Sequence, residues 1–330
     1  MTIIKSPKEL ESEIIRRMST NRKRGLDVPW NNLNDLMSWK KGYPIFIAGV
    51  GGVGKTEFLS ELVLSGMIMH GFKVCWLSPE MGTPVEIQEQ LIEKLARGGV
   101  LESGRDNSLN HETVVKITNW LHKYVRIIDP TDGWKETMDG MTMNIENLFK
   151  QIKEEEKQLN AKFDIIVIDP FNELDWDTSN IMTAVKGEID ALLWWAKKHD
   201  YIPILCNHAN DVKQLAYKSE SDGKTYMVTP PVKKEQWAYG SQWGRKGYQM
   251  ILVYEPHEAV VRDLAMNGDH ECQHSKEHYF NMREIYIQKS KPKGVGKTGK
   301  VRMFYDAQTQ RYYAYDIAAG KQGILYPKGL

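Results

Sequence analysis

From Pro44 onward the chain repeats one pattern of apolar and polar positions. Short runs rich in β-branched and aromatic residues, YPIFIAG, FKVCWLS, KYVRIID, FDIIVID and YIPILCN, each end in polar or turn-forming residues, as strands do. Between them lie longer stretches with apolar residues at helical spacing: TEFLSELVLSGMIMH, PVEIQEQLIEKLAR, IENLFKQIKEEEKQL and MTAVKGEIDALLWWAKKH. Strands that are apolar at nearly every position are buried on both faces. Their alternation with helices therefore predicts an α/β fold, a mainly parallel sheet flanked by helices. Beyond residue 245 the expected pattern is strands alone, YQMILVYE, REIYIQKSK, KVRMFYDA and RYYAYD, a β-hairpin extension of the sheet with no further helices.

Ahead of this region, Ser6-Pro7-Lys8-Glu9 is a helix start, with Ser as N-cap and Pro in the first turn. Leu10, Ile14, Ile15 and Met18 then share one face of a short amphipathic helix. The polar, basic NRKRG and then LDVPW separate it from the rest, which predicts an N-terminal arm over 1–29 and one domain over 30–330.

Composition narrows the classes. With 44 basic and 43 acidic side chains the formal net charge is +1, so a nucleic-acid site has to be a local patch. The start is too charged for a secretory signal, and no apolar run reaches the length of a membrane helix. Three widely spaced cysteines, Cys75, Cys206 and Cys272, fit reduced thiols in the cytoplasm.

The pentapeptide GVGKT occurs at 52–56 and again at 294–298. A phosphate-binding loop needs Gly-x-x-x-x-Gly-Lys-Ser/Thr between a strand and a helix. The first copy meets every condition: Gly49, Val50, Gly51, Gly52, Val53, Gly54, Lys55 and Thr56 follow PIFIA and lead through Glu57 into a helical stretch. The glycines let backbone N–H groups turn toward phosphate at a helix N-terminus. Lys55 is placed to reach the β- and γ-phosphates of ATP, and the Thr56 hydroxyl to bind Mg²⁺. The second copy has Lys291 where the first Gly belongs, Pro292 inside the loop and a strand after it. It predicts a basic hairpin turn.

Two carboxylates complete the candidate chemistry. Asp169 ends the apolar run FDIIVID, where a strand-end carboxylate holds Mg²⁺ through its waters. Glu80 follows the second strand in VCWLSPEM, positioned to orient and deprotonate a water as general base.

The ordered elements PWNNLNDLMSWKKGYPIFIAGVGGVGKTEF, WLSPEM, IIVIDPFNEL, ILCNHAND, AYGSQWGRKGYQMILVYE and IYIQKSKPKGVGKTGKV resemble those of the hexameric RecA-fold replicative helicases. That group includes the DnaB-like enzymes, mitochondrial Twinkle and the helicase half of phage primase–helicases. The resemblance covers about residues 26–315. It implies a RecA-like core with Glu80 as catalytic glutamate, Asp169 as the Walker B aspartate and His208 as a sensor of the γ-phosphate. It also implies that the loop ANDVKQLAYKSESDGKTYMVTPP grips single-stranded DNA, with Asn210, Lys213, Lys218 and Lys224 as candidate contacts and DWDTSN as a second channel loop. The loop reads as long, polar and unpatterned.

In that family a Lys-x-Arg pair near the C-terminus reaches the neighbouring subunit's ATP. Lys289 and Lys291 occupy those positions, so a Lys stands where the finger Arg is expected, with Arg283, Arg302 and Arg245 as alternatives. The resemblance further implies a head-to-tail ring, a hexamer, with the N-terminal helix as the linker that docks on the next subunit. It implies ATP-driven 5′→3′ unwinding and a separate primase or loader as partner. The alternative is a RecA-fold DNA-dependent ATPase without unwinding activity, such as a loader, a recombination factor or a switch. The remaining cluster, GDHECQHSKEH, with His270, Cys272, His274 and His278, matches no structural zinc spacing and reads as a polar surface insertion.

Overall fold

The computed structural model describes residues 6–19, 25–81, 83–102, 104, 106–129, 143–175, 178–210, 212–239 and 242–330. The five expected strands are β1 (Ile45–Gly49), β2 (Val74–Leu77), β3 (Val125–Ile128), β4 (Ile165–Ile168) and β5 (Ile202–His208). A separate antiparallel pair follows, β6 (Leu215–Lys218) and β7 (Thr225–Val228), and then β8 (Gln249–Tyr254), β9 (Met282–Lys289), β10 (Gly299–Asp306), β11 (Arg311–Asp316) and β12 (Gly320–Gln322). Ten of these make one sheet in the order β12-β11-β10-β9-β8-β1-β5-β4-β2-β3. The run from β3 to β8 is parallel, and from β8 to β12 every neighbour is antiparallel.

Both faces of the parallel half are covered, as the unbroken apolar runs require. On one face helices Lys55–His70, Pro84–Leu95 and His111–Leu121 pack with Val28, Trp30, Leu33 and Trp39. On the other lie Ile145–Gln158 and Ile181–His199, with Trp237 and Trp243. Each fully buried aliphatic side chain contributes roughly 1.5–3 kcal/mol relative to exposure, so these two layers fix the sheet. Helix Lys55–His70 lies between sheet and outer segments and is apolar nearly all round. Its one charged core position, Glu61, meets Arg311 of β11 in a two-pronged ion pair, with Nε and Nη2 each 2.7 Å from a carboxylate oxygen.

The N-terminal helix spans Pro7–Ser19 and begins as expected: the Ser6 N–H donates to Glu9 at 2.7 Å, and the Glu9 N–H to the Ser6 hydroxyl at 3.4 Å. Leu10, Ile14, Ile15 and Met18 are all exposed. No helix among the described residues is long and apolar enough to cross a membrane.

Three expectations are corrected. Helices do not stop at 245: Glu258–Met266 and His270–Glu277 stand between β8 and β9. The second contains most of GDHECQHSKEH, which is therefore no surface insertion. Asp269 caps its start through the Cys272 N–H at 3.0 Å, and Cys272, His274 and Ser275 are buried. Cys272 packs with Val261, Ala265, Met282, Phe304 and Tyr313 in a satellite core. Finally, the loop after His208 is not unpatterned, because it folds into the β6–β7 pair.

Candidate nucleotide site

The ends of β1, β5, β4 and β2 lie side by side, so the residues that follow them share one edge of the sheet. In the register of β1 and β5, Gly49 faces His208. The loop between β1 and its helix needs its glycines for two separate reasons. A Cβ at Gly49 would lie 2.7 Å from the Val253 carbonyl oxygen. Gly52 and Gly54 adopt φ of +73° and +87°, the left-handed region where a side chain is strained. Helix Lys55–His70 then starts at the loop, with the Phe58 N–H on the Gly54 carbonyl at 3.0 Å.

Lys55 is buried, and its ammonium donates to the Val50 carbonyl at 3.0 Å. Burial lowers its pKa, and the nearby Cys206, Asp169 and Glu80 oppose that shift. The Thr56 hydroxyl donates to Asp169 Oδ2 at 2.9 Å. Asp169 is also buried. Its carboxyl pKa is raised by burial, against hydrogen bonds from Thr56 and Cys206. The Ser78 hydroxyl donates to the Asp169 carbonyl at 2.8 Å and ties the end of β2 to the end of β4. Glu80, on the single turn Pro79–Met81, lies 3.7 Å from His208 Nε2 through its carboxylate. Thr56, Asp169 and Glu80 supply hard oxygen donors beside a phosphate cradle, a set that fits Mg²⁺.

Glu57 departs from the cradle. Its carboxylate is taken by Gln90 and by the buried ammonium of Lys94, both on helix Pro84–Leu95, so its side chain turns toward that helix.

Arg283 was not expected beside this site. Its Nε donates to the Val53 carbonyl at 3.1 Å, and its other end pairs with Glu255 at 2.8 Å. A cavity of about 210 Å³ lies there, lined by Gly51, Gly52, Val53, Thr229, Pro230 and Glu255 among others. Arg283 thus braces its own subunit's loop. Arg302 is committed elsewhere, to Asp269 and Glu271, whereas Arg245 is exposed.

The second GVGKT forms the connection between β9 and β10, a hairpin turn as expected. Its Val295 is buried, its Val295 carbonyl accepts from Ser38 Oγ at 2.7 Å, and the Lys297 N–H bonds the Leu36 carbonyl at 3.1 Å. A Cβ at Gly296 would collide with the Leu36 oxygen at 1.9 Å. Lys289 donates to the carbonyls of Gly244 and Arg245 at 2.6 and 3.1 Å. Burial, with Lys291 and Lys234 nearby, brings its pKa down to about 8. Lys291 is exposed at the start of the turn.

The loop after His208 is rooted at both ends. The Ala238 N–H bonds the His208 carbonyl at 3.0 Å, and the Asn210 N–H bonds the Gln236 carbonyl at 3.0 Å. Lys213, Lys218 and Lys224 are exposed, the last two on or beside the β6–β7 hairpin. Asp263, from helix Glu258–Met266, holds that hairpin. It accepts from Tyr217 OH (2.8 Å), Ser219 Oγ (2.9 Å) and the N–H groups of Glu220 (2.8 Å) and Ser221 (2.9 Å). Burial would raise this carboxyl's pKa, but the donors outweigh it and hold it well below the usual range. In the second channel candidate, DWDTSN, residues 176 and 177 lie outside the described residues.

Solved structures share this architecture. Over 95% of the chain it is similar to a structure entitled "The Structure Of A DnaB-Like Replicative Helicase And Its Interactions With Primase", at 14% identity and a TM-score of 0.63, covering 68% of that chain. Over the same 95% it is similar to a second structure, the ATPase domain of another helicase, at 15% identity and a TM-score of 0.67, covering all of that domain. At such identities the likeness shows the fold, that of a replicative-helicase ATPase domain. No protein-family model matches the sequence, and no curated protein matches it.

Proposed function

We propose that the chain is an ATP-dependent DNA helicase of the replicative type, hydrolysing Mg-ATP at subunit interfaces of a ring, a hexamer. The observation that carries this reading is the convergence of Lys55, Thr56, Asp169, Glu80 and His208 on one sheet edge. The P-loop N–H groups and Lys55 bind and orient the triphosphate. Mg²⁺, held by Thr56 and Asp169, would neutralise charge on the transferring phosphoryl group. Glu80 takes the proton of the attacking water, so that its attack on the γ-phosphorus and the departure of ADP balance. His208, 3.7 Å from Glu80, sits where the site meets the loop that carries Asn210, Lys213, Lys218 and Lys224. That placement supports coupling of hydrolysis to movement along single-stranded DNA, 5′→3′ in the resembled family. Lys289 and Lys291 project from the hairpin that would face the next subunit's nucleotide, and the exposed apolar face of helix Pro7–Ser19 supplies a surface for docking on that subunit. A separate primase or loader fits as partner.

Fork-unwinding and DNA-stimulated ATP turnover test the proposal together. Lys55→Ala should abolish both, and Glu80→Gln should bind ATP while hydrolysing it poorly. ATP turnover without unwinding in the unaltered protein would replace the helicase reading with that of a DNA-dependent ATPase. Sizing with and without Mg-ATP tests the ring.

A further inference from the structure

The end of helix His270–Glu277 gathers three metal-binding side chains outside the nucleotide site. One nitrogen of His274, one of His278 and one carboxylate oxygen of Glu277 lie within 4.8 Å of one another. Residues four apart stand one above the other on a helix face, and the two imidazole centroids are 4.2 Å apart.

The surrounding contacts define which atoms are open. His278 Nδ1 is 2.9 Å from the His274 carbonyl oxygen. A carbonyl only accepts, so Nδ1 carries the proton and Nε2 keeps its lone pair. His274 Nε2 is 2.9 Å from the Tyr313 hydroxyl, which leaves Nδ1 as that ring's open nitrogen. The His274 ring is buried, stacked at 3.7 Å on Tyr315 and edge-on to Phe304 at 4.9 Å. Ligand histidines are typically oriented in this way, with the second nitrogen engaged and the ring plane fixed.

We infer that His274, Glu277 and His278 form a binding site for a divalent transition cation of the zinc type. Two imidazoles and one carboxylate favour Zn²⁺, Co²⁺, Ni²⁺ or Cu²⁺ over Mg²⁺ or Ca²⁺, which take oxygen ligands. Metal–ligand bonds of about 2.0–2.2 Å require the donors to close up. His274 is held in place, while His278 and Glu277 are exposed and able to turn toward it. Water completes the coordination. A bound ion braces the helix end immediately before Tyr279 and Phe280, which have φ of +61° and +57°, where the chain turns into β9. His270 and Cys272 are not members of this cluster, so the spacing in the sequence pointed to the wrong pair.

The test uses the untagged full-length chain, stripped with a chelator and titrated with Zn²⁺ by calorimetry and with Co²⁺ by visible absorption. One equivalent should bind in the micromolar range or tighter. His278→Gln and Glu277→Gln should each weaken binding about tenfold or more, abolish the cobalt bands and leave the circular dichroism unchanged. Asp169→Asn should keep the site intact. Millimolar zinc affinity in the unaltered chain, or unweakened binding in His278→Gln, would overturn the inference. So would loss of the zinc equivalent in Asp169→Asn, which would assign the ion to the nucleotide site.

Discussion

The Thr56 hydroxyl donates to Asp169 at 2.9 Å, across 113 residues of sequence. One residue opens the helix after β1 and the other follows β4, and β5 runs between those two strands. The contact therefore depends on the sheet order, and it brings together the two oxygen donors expected to hold Mg²⁺. Burial of Asp169 raises its pKa, a cost that a bound divalent cation would reverse.

Replacing Asp169 by Asn keeps the shape and removes the charge. We expect ATP turnover to fall at least about a hundredfold, as when one charge-stabilising group is lost from such a site, with nucleotide still bound. Turnover measured against Mg²⁺ concentration checks this. A variant with unchanged turnover and Mg²⁺ dependence would exclude Asp169 from the metal.

Asp263 sets the position of the β6–β7 hairpin, which bears Lys218. Asp263→Asn would place an NH₂ group against donors that now meet a carboxylate. Amide hydrogen exchange over 215–228 should quicken, and single-stranded DNA should bind more weakly, with little change in the thermal midpoint. The folded pKa is depressed, so the clamp is fully present above the unfolded value of about 3.9 and is lost only as pH falls below it. Binding near neutral pH should therefore be insensitive to this group. Unaltered exchange in the variant would mean that the hairpin does not depend on the clamp.

Much of this was legible in the sequence, for identifiable reasons. Strands buried on both faces leave unbroken apolar runs, and a P-loop fixes Gly, Lys and Thr at set intervals, so β1 through β5 and the cradle could be read directly. The β6–β7 hairpin did leave a signal, Ser221-Asp222-Gly223 between two alternating stretches, which the polar composition obscured. Helix His270–Glu277 has Gly268 and the Asp269 cap before it, but its eight residues carry too few apolar positions to show a period. The turn of Glu57 toward Lys94 and the brace of Arg283 on Val53 are contacts between distant segments. No local pattern encodes them.

Glu61 and Arg311 are both essentially fully buried. Guanidinium N–H groups also reach the Lys94 and Leu325 carbonyls at 3.1 and 2.9 Å. Glu61→Gln leaves a buried cation without its counter-charge and should cost about 3–5 kcal/mol in denaturant unfolding. Exchanging both residues for apolar ones of similar size should recover most of that loss. A single variant as stable as the parent would show that water reaches the pair.

Lys289 gives a pH prediction. With its pKa near 8, it is charged below that pH and neutral above it. A role in binding phosphate requires the cation, so kcat/KM for ATP should fall on an alkaline limb near pH 8, since that ratio reports the free enzyme. Because the folded pKa is depressed below the unfolded value of about 10.4, the group's contribution to stability rises as pH climbs from 8 toward 10.4. Activity and stability should thus move in opposite directions over this range. Lys289→Arg should shift the limb upward by staying charged. A limb that does not move in that variant would belong to another group.

Lys291 stands exposed at the start of the β9–β10 turn, where the resembled family places an arginine. The turn is anchored by Ser38 and Leu36 rather than by Lys291's side chain, so Lys291 can be changed without unfolding the hairpin. An ammonium is a point charge, whereas a guanidinium can clamp two phosphate oxygens at once. If Lys291 acts across the subunit interface, Lys291→Ala should lower turnover with nucleotide affinity little changed, and Lys291→Arg should match or exceed the parent. Arginine fingers in other nucleotide hydrolases contribute about 10³–10⁵ in turnover, so an effect well above twofold is expected. A mixing experiment separates this from a role within the subunit. Lys291→Ala subunits, supplying intact P-loops, combined with Lys55→Ala subunits, supplying intact Lys291, should recover turnover at the mixed interfaces. Absence of recovery, in rings shown by sizing to be mixed, would place Lys291 outside the neighbouring site.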